Sequence, residues 1–190
     1  MLLTQFQTVG RDLFTCGLIS GFGGNLSIRM GDRIYITRRG SNKGSLTEND
    51  IIETGIYKND RQTPLASSEL AVHRAIYQHT SASAVVHAHP PHAVALSLSE
   101  KEIVPSDDDG KEMFGQVPVI GCQLQMLASA YADIIAETLK HGRIVMLRGH
   151  GSFAIGQLLA EAYEITSIFE ESCKILCLLK SLQTKPTVIE

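Results

Sequence analysis

A chain of 190 residues, 44% of them hydrophobic, is long and apolar enough for one ordinary globular domain with a buried core. Its net charge of −3 offers no broad basic field for nucleic acid or anionic lipid, and no apolar run approaches the ~20 residues that cross a bilayer. The opening MLLTQFQTVGRDLF lacks a basic start and is broken by polar residues, so it does not read as a signal peptide.

No internal repeat, low-complexity segment or linker divides the sequence, so residues 1–190 are read as a single domain. Residues 3–19 carry helical apolar spacing through Leu3, Phe6, Val9, Leu13 and Cys16, and the glycines of SGFGGN end that helix. NLSIRM and RIYITR alternate apolar and polar residues around Gly31-Asp32, a hairpin signal. RRGSNKGS is a loop rich in glycine and positive charge, and IIETGIY with KNDRQT reads as strand and turn. Ser67 or Ser68 caps a helix running to about His79, with Leu70, Ala71, Ala75 and Ile76 on its inner side. SASAVVHAH is a short strand, stopped by Pro90 and Pro91, which open the helix AVALSLS. Asp107, Asp108 and Asp109 read as a solvated acidic loop. QVPVIG is another strand, residues 125–140 a helix, RIVMLRGHGSFAIG two short strands around a glycine turn, and LLAEAYEITSIFEESCKILCLLKSL a long amphipathic helix. This mixture, with several hairpin-like neighbours, implies helices packed on both faces of a mixed sheet. The cysteines, Cys16, Cys122, Cys173 and Cys177, form no C-x-x-C pair and read as buried free thiols in a reducing cytoplasm.

Histidine is concentrated where chemistry would need it. His87 and His89 stand at i and i+2 on the strand, so both side chains point the same way, roughly 6–7 Å apart at the backbone. Two readings fit that pair equally, a two-ligand metal clamp and a solvent-facing polar pair at a strand end. The best third ligand is His150, which ends a strand and is flanked by glycines that let backbone approach closely. His79 reads as surface and His141 as a helix C-terminal residue, while His92 lines the site or bonds a ligand histidine. His73, one helical turn after Glu69, is placed to orient that carboxylate. Glu69 itself is either a plain helix-start acid or a proton-transferring base beside a metal. The Ser67-Ser68 hydroxyls and free helix amides suit a phosphate. GFGG does not have the G-x-G-x-x-G spacing of a dinucleotide site, and a strand rather than a helix follows it.

Taken in order, GFGGNLSIR, ITRRGSNKGSLTENDI, SSELAVHRAIY, AVVHAHPPHAVALS and LRGHGSFAIG resemble the class II aldolase/adducin family, from about residue 5 to 180. The resemblance implies an α/β fold, three layers α/β/α with a mixed, largely antiparallel central sheet. It implies one Zn2+ per chain on His87, His89 and His150, with Glu69 beside it as catalytic residue and further ligand. A substrate phosphate would be held by Asn25, Gly40, Ser67 and Ser68. Arg39 stands where the family often has threonine, so it adds charge to that pocket or alters its shape. The activity implied is cleavage of a ketose phosphate such as L-fuculose 1-phosphate to dihydroxyacetone phosphate and an aldehyde, by a cytoplasmic homotetramer with sites between subunits. Glutamate at 69 favours aldolase over the ribulose-phosphate epimerases, which carry aspartate there. Where fuculose-phosphate aldolases place a tyrosine that reaches a neighbouring site, this chain has the region of Asp109, and no tyrosine follows Tyr163. A related epimerase, dehydratase or decarboxylase would keep the same metal site. A non-catalytic adducin-like module would lack the histidines present here.

Overall fold

The computed structural model describes residues 2–121 and 128–183, the side chains of residues 128 and 129 apart. The strands are β1 (Asn25–Met30), β2 (Arg33–Thr37), β3 (Ile51–Gly55), β4 (Ala84–Ala88), β5 (Glu102–Ile103), β6 (Val117–Ile120), β7 (Ile144–Leu147) and β8 (Gly151–Gly156), among which β2 and β3 bury alternate residues and β4 and β7 are buried throughout. Among the described residues these form one sheet in the order β3-β2-β1-β4-β8-β7-β6-β5. The pairings are antiparallel except for parallel β6 and β7. The hairpin expected at Gly31 is present, and that glycine takes φ +61°, which a side chain would resist.

Six helices flank the sheet among the described residues: α1 (Leu2–Thr15), α2 (Leu70–His79), α3 (Pro91–Ser97), α4 (Asp108–Phe114), α5 (Ala132–Thr138) and α6 (Leu159–Ser181). Side chains alternate across each strand, so β4 sends Ala84, Val86 and Ala88 to one face and Val85 to the other. The first face packs Phe6 and Leu13 of α1, Leu96 of α3 and Phe169 of α6. The second packs Val72 and Ile76 of α2 and Ile135 of α5 against Phe153 and Val145. The three-layer α/β/α architecture with a largely antiparallel mixed sheet is therefore the one observed. Each fully buried leucine, isoleucine or phenylalanine contributes about 1.5–3 kcal/mol to it.

Several local expectations differ from the structure. The first helix ends at Thr15 rather than residue 19, because Gly17 takes φ +69°, and Cys16 is exposed. Ala71 faces outward, whereas Val72, His73 and Tyr77 face the sheet. The acidic loop is helical: Asp107 accepts a hydrogen bond from the Gly110 N–H at 2.9 Å and starts α4. Of the helix expected at 125–140, residues 125–127 lie outside the described residues; a 3-10 turn, Ala128–Tyr131, precedes the shorter α5. Cys173 is buried and Cys177 half-buried, both as free thiols, while Cys122 lies outside the described residues. No described helix is long and apolar enough to cross a membrane.

Candidate active site

The site forms at one end of the central strands. β4 is buried along its whole length, so His87 is enclosed on the α2 side of the sheet. Its neighbours across the ladder are Asn25 on β1 and Phe153 on β8. The imidazole stacks on the Phe153 ring, with centroids 4.1 Å apart and planes 16° from parallel. His89 lies just past the strand and is tied to the chain after α1 by its N–H, which donates to the Leu18 carbonyl at 2.9 Å. His150 sits in the turn between β7 and β8. That turn is pinned from α3, because the Gly149 N–H donates to Ser97 Oγ at 2.8 Å and the Arg148 guanidinium to the Ser97 carbonyl at 2.5 Å.

The three imidazoles converge. His87 Nε2 is 3.0 Å from His89 Nε2 and 3.1 Å from His150 Nε2. Close backbone approach makes this possible. A Cβ on Gly151 would lie 2.3 Å from the Ala88 carbonyl oxygen, 2.7 Å from His89 Cδ2 and 2.9 Å from His87 Cε1. The donor chemistry suits a metal ion. His87 Nδ1 lies 2.9 Å from the Ser152 carbonyl, an acceptor only, so Nδ1 carries the proton and Nε2 presents a bare lone pair. Burial lowers the His87 imidazole to about 3, and burial with the neighbouring His150 lowers His89, so both rings are neutral near pH 7. Nitrogen separations of 3.0 and 3.1 Å approach the ~3.3 Å between two ligands of a tetrahedral zinc ion with bonds of ~2.0 Å.

Glu69 completes the cluster from the N-cap position of α2. Its Oε1 is 3.0 Å from His150 Nε2 and its Oε2 is 3.1 Å from His87 Nε2. Asn25 Nδ2 donates to Oε2 at 2.6 Å. Burial would raise this carboxyl, but the surroundings, His87 above all and then His150 and the Asn25 amide, outweigh that and hold it well below the usual carboxylate range. Glu69 is therefore an anion at neutral pH. His73, expected to orient Glu69, does not touch it: the His73 ring bonds Asn25 Oδ1, and Asn25 bonds the carboxylate.

A cleft of about 210 Å³ opens above the cluster. Asn25, Arg39, Gly40, Ser67 and Ser68 all line it, together with Glu69, His89 and His150. Gly40 takes φ +72°, which turns the loop after β2 across the cleft. Arg38 and Lys43 line it too, and sequence reasoning singled out neither. Lys43 is only 2% exposed, and its ammonium donates to the Phe22 and Ser41 carbonyls, each at 2.9 Å. The positive charge of RRGSNKGS was the available signal, but which cation turns inward depends on the loop's path. His92 is elsewhere: its Nδ1 bonds Glu170 of α6 at 2.7 Å, not a ligand histidine. Asp109 lies with Asp107 and Asp108 in a separate hollow against Ser167 and Glu171. His79 is at the surface on Glu137, as expected.

Comparison with known proteins shows the family and the fold. The profile of the family described as Class II Aldolase and Adducin N-terminal domain matches residues 4–177. An L-fuculose phosphate aldolase of Methanococcus maripaludis is 31% identical over 187 residues, covering 96% of this chain and 100% of that protein. The crystal structure of L-fuculose-1-phosphate aldolase from Thermus thermophilus superposes with a TM-score of 0.89 at 38% identity, over 98% of both chains. A methylthioribulose-1-phosphate dehydratase of Gluconobacter oxydans is 38% identical over 172 residues, 80% of each chain. With a matching profile over most of its length, neighbours of the same fold and a histidine cluster at the sheet's end, the chain belongs to the class II aldolase and adducin N-terminal domain family.

Proposed function

We propose that the chain is a zinc-dependent aldolase that cleaves a ketose 1-phosphate, of the L-fuculose 1-phosphate kind, to dihydroxyacetone phosphate and an aldehyde. The observation that carries this reading is the meeting of His87, His89 and His150 with an ionised Glu69 beneath a cleft lined by Arg38, Arg39 and Lys43. A zinc ion on the three imidazoles supplies Lewis acidity that lowers the cost of negative charge on the substrate's carbonyl oxygen. The phosphate would lie against Ser67, Ser68, Gly40 and Asn25, with the cleft's cations neutralising it. In cleavage, the bond between the carbon next to the carbonyl and the adjacent carbinol carbon breaks. The carbinol hydroxyl loses its proton and becomes the aldehyde oxygen. The carbon that keeps the bonding electrons gains a proton, and Glu69 exchanges protons at that carbon.

The chain would act as one domain in a cytoplasmic homotetramer. His150 is exposed at the cleft mouth, where a second subunit would close the site. The region of Asp109 would face a neighbouring subunit rather than its own cleft. A dehydratase working on a related ketose phosphate is the second reading, favoured by the similarity to a methylthioribulose-1-phosphate dehydratase.

Elemental analysis of protein purified without chelator, paired with a coupled assay for dihydroxyacetone phosphate from a panel of ketose 1-phosphates, tests the proposal. About one zinc per chain with release from a panel member is expected. Zinc with loss of water and no carbon-carbon cleavage would move the function to the dehydratase. Undiminished release after chelation would overturn the metal's role.

A further inference from the structure

Behind Glu69 runs a buried polar chain that ketose-phosphate cleavage does not by itself require. Asn25 and Ser27 are two apart on β1, and Glu69, His73 and Tyr77 are four apart on α2. Two strand residues rise ~6.5 Å and four helical residues ~6 Å, so the two series stay in step where α2 crosses β1. They bond alternately. Tyr77 Oη is 2.7 Å from Ser27 Oγ, and Ser27 Oγ is 2.6 Å from His73 Nδ1. His73 Nε2 bonds Asn25 Oδ1, and Asn25 Nδ2 meets Glu69 Oε2 at 2.6 Å. Tyr77, Ser27, His73 and Asn25 are all at most 6% exposed.

Hydrogen-bond accounting fixes the direction of every proton. The ionised carboxylate only accepts, so Asn25 turns its amino group to Glu69 and its carbonyl to His73. His73 must then carry its proton on Nε2, which leaves Nδ1 to accept from the Ser27 hydroxyl. Ser27, having given its proton away, accepts from Tyr77. All four donors point toward Glu69, and bonds aligned in this way polarise one another.

We infer that His73 is a positioning residue, whose Nε2–H tautomer, set by Ser27 and Tyr77, locks the Asn25 amide so that Oε2 of Glu69 is held and Oε1, on the His150 side, exchanges the substrate's proton. The inference rests on Glu69 being the proton carrier. Burial lowers the His73 imidazole to about 4, in agreement with a neutral ring.

Two measurements test it. In nitrogen-15 spectra of the histidine-labelled protein at neutral pH, the ring absent from His73→Gln is expected as the Nε2–H tautomer, and Ser27→Ala should shift its Nδ1 resonance. An Nδ1–H tautomer or an imidazolium at His73 would overturn the relay's polarity, and this readout needs no substrate. In turnover, His73→Leu should lower kcat roughly ten- to a hundredfold, as the loosened Asn25 loses its hydrogen bond to the charged Glu69, with KM and metal content nearly unchanged. His73→Gln, which keeps a donor for Asn25, should recover most of that loss. Equal losses in both variants would make His73 a packing residue and sink the inference. If His73→Leu does not fold, Ser27→Ala carries the same kcat test. Should no ketose phosphate be cleaved at all, the proposed function fails while the tautomer still decides the relay.

Discussion

Glu69 shows how far a single residue's role depends on its neighbours. A carboxylate at a helix start is ordinary. This one lies 3.0 and 3.1 Å from two imidazoles and is fixed by an amide at 2.6 Å, so its two oxygens are held in one orientation. Glu69→Gln keeps the shape and removes the proton carrier. Turnover should fall about a hundred- to ten-thousandfold, while zinc content stays near wild type, because the three imidazoles are untouched. Near wild-type turnover would remove Glu69 from the chemistry. His87, His89, His150 and Glu69 were legible in the sequence only as a set, because each alone has an ordinary reading and the ordered motifs around them carry the family resemblance. Helix spacing pointed His73 at Glu69, but its route through Asn25 and Ser27 was not legible, since that rests on the register between α2 and β1, and neither helix nor strand periodicity reports how two elements cross. Lys43 escaped for the same reason, as its loop has no periodicity at all.

At the scale of elements, α3 ties the histidine cluster together. His89 precedes it, and Ser97 at its far end grips the turn that carries His150. The helix has seven residues, begins with prolines and has no side-chain cap of its own. Its cap comes from α6, where Glu170, only 8% exposed, accepts the His92 N–H and the Ala93 N–H at 3.0 Å each and bonds His92 Nδ1 at 2.7 Å. A negative charge suits the start of a helix. Glu170→Ala should cost about 2–4 kcal/mol in urea denaturation and weaken zinc retention, while Glu170→Gln, which still accepts, should cost less. Unchanged stability in Glu170→Ala would mean that Ala93 and Leu96 alone hold α3. A glutamate in the middle of a long amphipathic helix reads as a surface residue, so this cap was invisible in sequence. The elements themselves were largely visible, because β1 and β2 alternate, β4 and β7 are short apolar runs bounded by turn signals, and α6 is a long helical pattern. The two-residue β5 and the seven-residue α4 are too short to carry any. α4 depends instead on Asp107 being held by Ser172 of α6 at 2.9 Å.

At the scale of the whole molecule, the site's buried polar groups make folding sensitive to pH. The His73 imidazole would titrate near 6.5 in the unfolded chain and is lowered to about 4 by burial between α2 and the sheet. Between those values the unfolded chain holds more protons than the folded one, so stability rises with pH. The contribution is fully present above pH ~6.5 and is lost as pH falls toward ~4, since protonation then favours unfolding. A gap of about 2.5 pH units corresponds to roughly 3 kcal/mol, of which about 2 kcal/mol is gone by pH 5. Glu69 acts in a lower window, because an unfolded carboxylate takes up its proton only near pH ~4.3. His87 and His89 are also lowered by burial and act in the same direction as His73, so only a variant can separate them. Urea denaturation of chelated protein at pH 7.5 and pH 5 should show a clear drop for the wild type and a drop smaller by about 2 kcal/mol for His73→Gln, which cannot titrate. Equal drops in the two proteins would mean that His73 takes up its proton in the fold as readily as in the unfolded chain, and the acid sensitivity assigned to its burial would be gone.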